Sequence, residues 1–199
     1  MSSVTGGIGL SLTNAPGMDP VSFRKALPGG IASGYGTAIG ENSPVKLLAG
    51  VLVAAVGTAS GDSTGGIIGT FLGCEYNDSN GVHQETNIWV ASTTYQAGSM
   101  VAYYTDDPYI TYAVWANGSI PQATGVGYEI DFNNVTVNAT TGLCTGTVDT
   151  TTLSGSGTQR LLRIVGITPG ADNSFGDAYT IVNVQIAKHQ FVSPVTGVS

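Results

Sequence analysis

The sequence predicts an all-β protein, an antiparallel barrel or sandwich that could run jelly-roll-like, preceded by an extended N-terminal arm. Composition gives the first reason: of 199 residues, 29 are Gly and 8 are Pro, among many Thr, Ser, Asn and Val. Glycine supplies positive φ at tight turns, while Thr and Val fit a pleated surface. The second reason is charge, since only 10% of residues are charged against about 25% in an ordinary domain. Hydrophobic residues make up 42%, which separates this chain from disordered ones. Third, strand-like runs recur at short spacing with no helical period between them, the pattern of sandwiches and barrels.

Residues 1–44 contain Pro16, Pro20, Pro28 and Pro44 with repeated Gly, and no period of 2 or 3.6 persists there. They are expected to form an arm with little regular structure. Asp19-Pro20 resembles an N-cap followed by a first-turn proline, which predicts one helical turn over 21–27. Residues 45–199 are expected to form the β domain, a length that one all-β unit can hold. Its predicted strands cover 45–56, 66–76, 82–90, 99–105, 109–116, 128–138, 143–148, 160–167 and 178–189, each bounded by turn residues. Asn80-Gly81 marks the clearest hairpin, and Asp106-Asp107-Pro108 is expected to reverse the chain between the next pair. In the last run Val182, Val184 and Ile186 alternate with Asn183 and Gln185, as in a half-buried antiparallel strand. No repeat of 20–50 residues is present.

The net charge is −7, and the basic residues are Arg24, Lys25, Lys46, Arg160, Arg163 and Lys188. Nothing basic lies between Lys46 and Arg160, where Asp62, Glu75, Asp78, Glu85, Asp106, Asp107, Glu129, Asp131 and Asp149 stand. Such a stretch repels a phosphate backbone, so no nucleic-acid partner is expected. Negative charge also keeps a weakly charged β protein soluble. The most apolar run, 47–57, is far shorter than the ~20 residues a membrane helix needs, so no membrane partner is expected. The N-terminus lacks a basic region followed by an apolar run, and synthesis in the cytoplasm is the expectation. Cys74 and Cys144 lack metal-ligand spacing and read as free, buried thiols.

A search for chemistry finds little. His83 and His189 sit in no motif that joins a base to a nucleophile, and both read as exposed strand residues. The Gly-rich stretches 29–36 and 57–66 lack the Gly-Lys-Ser/Thr of a phosphate loop and read as turns. Asp106-Asp107 lacks the alternating ligands of a calcium loop and reads as a turn. Four Asn-x-Ser/Thr triplets, at Asn77, Asn117, Asn134 and Asn138, are discounted in a chain so rich in these residues. The expectation is a protein that is not an enzyme, with no catalytic residues, no metal and no cofactor. A hydrolase working through Asp106 and Asp107 lacks any base paired with a nucleophile. Trp89, Tyr95, Tyr103, Tyr104, Tyr109, Tyr112 and Trp115 cluster in one third of the chain. Core packing is their commonest role, and the alternative is a lectin-like sugar platform at Tyr103, Tyr104 and Trp115.

One further pattern spans most of the chain. Asn14-Ala-Pro-Gly is followed by Ile31-Ala-Ser-Gly-Tyr-Gly-Thr-Ala-Ile-Gly-Glu-Asn-Ser-Pro-Val-Lys-Leu, then Gly69-Thr-Phe-Leu-Gly-Cys-Glu-Tyr-Asn-Asp, Asp106-Asp-Pro and Phe175-Gly-Asp-Ala-Tyr. This order resembles the capsid cement or decoration (head-stabilising) proteins of tailed bacteriophages. The resemblance implies a virion protein on the outer capsid surface, commonly a homotrimer, that clamps neighbouring copies of the major capsid protein and carries no catalytic residue. The candidate partner-contact residues are Phe23, Arg24, Lys25 and Tyr35 from the arm, and Tyr103, Tyr104 and Trp115 from the aromatic third.

Overall fold

A computed structural model describes residues 9–14, 24–55, 66–133, 135–155 and 159–192. Its strands, in chain order, begin with β1 (Ser11–Asn14), β2 (Lys25–Pro28), β3 (Ile39–Gly40), β4 (Pro44–Leu48), β5 (Val51–Ala54), β6 (Gly69–Asn77) and β7 (His83–Thr86). They continue with β8 (Ile88–Trp89), β9 (Val101–Tyr104), β10 (Thr111–Trp115), β11 (Glu129–Asn133), β12 (Thr147–Ser154), β13 (Leu162–Ile167) and β14 (Ile181–Ile186). A single 3-10 turn at Gln122–Thr124 is the one helical element among the described residues.

The protein is all-β and sandwich-like, with antiparallel sheets that do not close into a barrel. The first sheet runs β1-β10-β14-β13-β11-β12, and the second runs β2-β9-β6-β4-β5 with β7 also on β6. A two-stranded ribbon pairs β3 with β8. Strands β10 to β14 stay together in one sheet rather than alternating between sheets as in a jelly roll. The first sheet curls until an isolated bridge, Ala116 to Val148, links the end of β10 to β12.

Period-2 alternation sorts the side chains. Val182, Val184 and Ile186 of β14 point inward while Asn183 and Gln185 face outward, as the sequence predicts. They join Tyr112, Val114, Ile130, Phe132, Leu162 and Ile164 in the core of the first sheet. A second core holds Ile31, Ile39, Val45, Leu52, Phe71, Trp89, Met100 and Tyr104. Full burial of each such side chain contributes about 1.5–3 kcal/mol, so each sheet has its own apolar driving force.

The two cores meet at a hydrogen-bonded seam. Ile67 belongs to the first core and its neighbour Ile68 to the second, because alternation sends successive side chains to opposite faces. Buried Thr105 ties β6 to β10: its Oγ1 accepts from Thr70 N–H (2.9 Å) and lies 2.9 Å from the Tyr112 hydroxyl. Burial pushes the Tyr112 phenol well above its usual range. Gly69, beside Thr70, has no room for a side chain, since a Cβ there would lie 2.7 Å from the Thr105 carbonyl carbon and closer still to its oxygen.

Several expectations change. Residues 25–27 form edge strand β2 rather than a helical turn, while Val21 to Phe23 lie outside the described residues. The described parts of 9–44 are not a loose extension, because β1 and β2 pair with the two sheets and Leu10, Ile31 and Ile39 are fully buried. The predicted strand 45–56 is a hairpin whose turn uses positive φ at Ala49 (52°) and Gly50 (84°), and Leu48 at its tip is exposed. Residues 82–90 divide at Asn87 into β7 and β8. Asp106-Asp107-Pro108 makes a turn, with Asp107 Oδ1 accepting from Tyr109 N–H (2.8 Å). That turn carries the chain from the second sheet to the first instead of closing a hairpin.

Candidate partner-contact site

Strand β9 presents two tyrosines to opposite sides of the second sheet. Tyr104 faces the core and is 7% exposed, whereas Tyr103 is half-buried on the outer face. Exposed Arg24, just ahead of β2, lies over the Tyr103 ring with its guanidinium carbon 3.5 Å from the centroid. A cation–π contact of this kind is worth about 0.5–1 kcal/mol at an exposed site. The Tyr103 hydroxyl donates to Glu75 Oε1 at 2.8 Å. That hydrogen bond is the chief reason the Tyr103 phenol is raised, with burial and the Glu75 charge adding and Arg24 opposing. Lys25 stands 3.9 Å from Asp106, a solvent-exposed pair of little energetic weight.

A cleft of about 200 Å³ opens beside this cluster, between Arg24, Tyr103, Gly73, Glu85 and Asn87. A bulge shapes it. The β6–β9 register slips between Phe71 and Gly73, so Leu72 is an extra residue, and Gly73 takes φ 132°. A Cβ at Gly73 would sit 2.9 Å from Thr86 O, so glycine keeps β6 and β7 together at this point. Cys74 lines the cleft yet its thiol is pushed up to about 12 by burial, which leaves it unreactive as a nucleophile. Cys74 and Cys144 are both buried and free.

Of the seven sequence-predicted contact residues, the fold brings Arg24 and Tyr103 together, whereas Lys25, opposite core-facing Tyr104, is turned to the other side of the sheet toward Asp106. Phe23 lies outside the described residues. Tyr35 serves the interior: its hydroxyl accepts from Ala54 N–H (3.1 Å) and its carbonyl accepts from Trp89 Nε1 (3.2 Å). Trp115 is on the first sheet, opposite Ile181. Tyr103, Tyr104 and Trp115 therefore do not share one face. Glu75 and Glu85, which border the cluster, were not among the residues singled out by sequence, because only strand register sets them opposite each other.

His83 is exposed on β7, as expected. His189 is not, being only 4% exposed beside Ile67, with Nδ1 accepting from Phe191 N–H (3.1 Å). Burial lowers its pKa against the pull of Asp106 and Asp107. The residues that hold the 159–163 segment were also missed. Glu129 accepts from Arg160 N–H (2.9 Å) and Arg163 Nη2 (3.1 Å), while Asp131 accepts from Arg160 Nη1 (2.9 Å) and Leu161 N–H (3.0 Å). Both carboxylates are buried on the outward side of β11. Among the described residues no group of three or more His, Cys, Asp or Glu side chains could hold a metal ion, and no helix is long and apolar enough to cross a membrane. No protein-family model, no curated protein and no solved structure matches the chain.

Proposed function

We propose that the chain is a non-catalytic structural protein of a tailed-phage virion, a cement or decoration protein that binds the outer surface of the shell of major capsid protein. The observation that carries this reading is the pair of Arg24 and half-buried Tyr103 on the outer face of the second sheet, where a basic side chain lies over an aromatic ring. Arginine and tyrosine are enriched at interface centres, and a low charged fraction suits surface that becomes covered by a partner. The sequence pattern described above adds the capsid context. Self-association, as a homotrimer, belongs to the same proposal.

The site is best tested by point changes, because removing residues 1–44 would also remove buried Leu10, Ile31 and Ile39. Arg24→Glu, and separately Tyr103→Ala, are expected to lower co-sedimentation with shells at least about tenfold, the ~1.4 kcal/mol that hot-spot side chains commonly exceed. Their thermal unfolding should stay close to that of the parent. Undiminished co-sedimentation of both variants would remove this face from the contact.

A further inference from the structure

Among the described residues strand β7 has a sheet partner on one side only, and hydrogen-bond alternation fixes which of its backbone groups are open. The Asp78 N–H donates to Val82 O at 2.9 Å in the hairpin. Counting from there, Tyr76–Gln84 and Cys74–Thr86 are hydrogen-bonded pairs, while Asn77–His83 and Glu75–Glu85 are not. Asn77 agrees with that phase, since its backbone turns the other way: its N–H donates to Ser99 Oγ (3.0 Å) and its carbonyl accepts from Gln96 N–H (2.9 Å). The N–H and C=O groups of His83 and Glu85 therefore point off the sheet, and both residues are exposed.

Charge selects what can occupy this edge. Glu75 and Glu85 stand directly opposite each other on the outer face, an arrangement that like-charge repulsion disfavours. Asp78 lies at the adjoining hairpin, and the sequence from 47 to 159 contains no Lys or Arg. A second copy pairing here would bring two more carboxylates to the same face, so homotypic pairing is disfavoured. A basic strand would do the reverse, pairing the open backbone groups and neutralising Glu75 and Glu85.

We propose that the β7 edge docks an extended, Lys- or Arg-bearing segment of another polypeptide as an added strand. This goes beyond the capsid reading, because it specifies the partner by chemistry and holds whether or not that partner is a shell protein. The main chain supplies the affinity and the carboxylates select the sign of the side chains.

The test is amide hydrogen exchange of the full chain with three probes: a capped alternating Lys-Val hexapeptide, its Glu-Val counterpart, and spermine. The Lys-Val peptide is expected to slow exchange at the His83 and Glu85 amides at least tenfold, while the other two leave them unchanged. Two variants separate backbone from charge. Glu85→Pro removes an outward N–H without touching a bond to β6, and Glu85→Lys reverses the charge. Each should abolish protection at His83 while β6 amides remain as slow as in the parent. Absence of protection, equal protection by the Glu-Val peptide or spermine, or protection retained in both variants would overturn the proposal.

Discussion

Gly69→Ala is expected to cost about 4 kcal/mol or more, the range reserved for a change the structure cannot absorb. The added Cβ would meet backbone, the Thr105 carbonyl, together with Thr105 Oγ1. Neither can move freely, because Thr105 N–H donates to Thr70 O (3.0 Å) and Oγ1 is held by Thr70 N–H and the Tyr112 hydroxyl. The clash therefore pushes β6 away from the 105–107 turn and opens the seam between the two cores. Chemical denaturation checks this against Gly36→Ala, where nothing lies within 4 Å of the added Cβ and the expected change stays within about 0.5 kcal/mol. A Gly69→Ala protein as stable as the parent would mean that the seam is not rigid.

The second large effect is expected at Asp131. Its carboxylate is buried and accepts from the Arg160 guanidinium and the Leu161 N–H. Asp131→Ala removes both bonds and leaves Arg160 facing an apolar side chain, which should destabilise the protein by about 3 kcal/mol, the lower end for breaking a buried pair. That lower end applies because the Arg160 side chain keeps 22% of its exposure and can turn to water. Asp131→Asn retains an acceptor and should cost about half as much. Proteolysis provides an independent reading, since trypsin should cut after Arg160 in Asp131→Ala well before it does so in the parent. Unchanged denaturation and unchanged cleavage would show that the 159–163 segment is held by other contacts.

Much of this fold was legible in the sequence. Alternation along 181–186 fixed the inward face of β14, and Asn80-Gly81 announced the β6–β7 hairpin, although the turn is a three-residue loop in which Gly81 alone of the pair takes positive φ (82°). The hairpin at Ala49-Gly50 was hidden, since alanine seldom adopts positive φ and its apolar neighbours read as one strand. The strands within 9–44 were hidden by their prolines and glycines: β2 is an edge strand that tolerates Pro28 at its end.

The candidate site was legible only in part. Arg24 and Lys25 stood out by charge and Tyr103 by its aromatic neighbours, but which of two adjacent tyrosines faces outward depends on register. The opposition of Glu75 and Glu85, and the four-residue network around Glu129 and Asp131, arise from pairings across the sheet. Neither leaves a local signature. Burial of His189 depends on contact with Ile67, more than a hundred residues away in the chain, which strand alternation cannot reveal.

The capsid role is tested most directly by electron cryomicroscopy of shells purified without this chain and then mixed with it. Discrete density on the outer surface is expected, with the Arg24–Tyr103 face of the second sheet turned toward the major capsid protein. Shells that stay bare at saturating protein concentration would contradict a cement function.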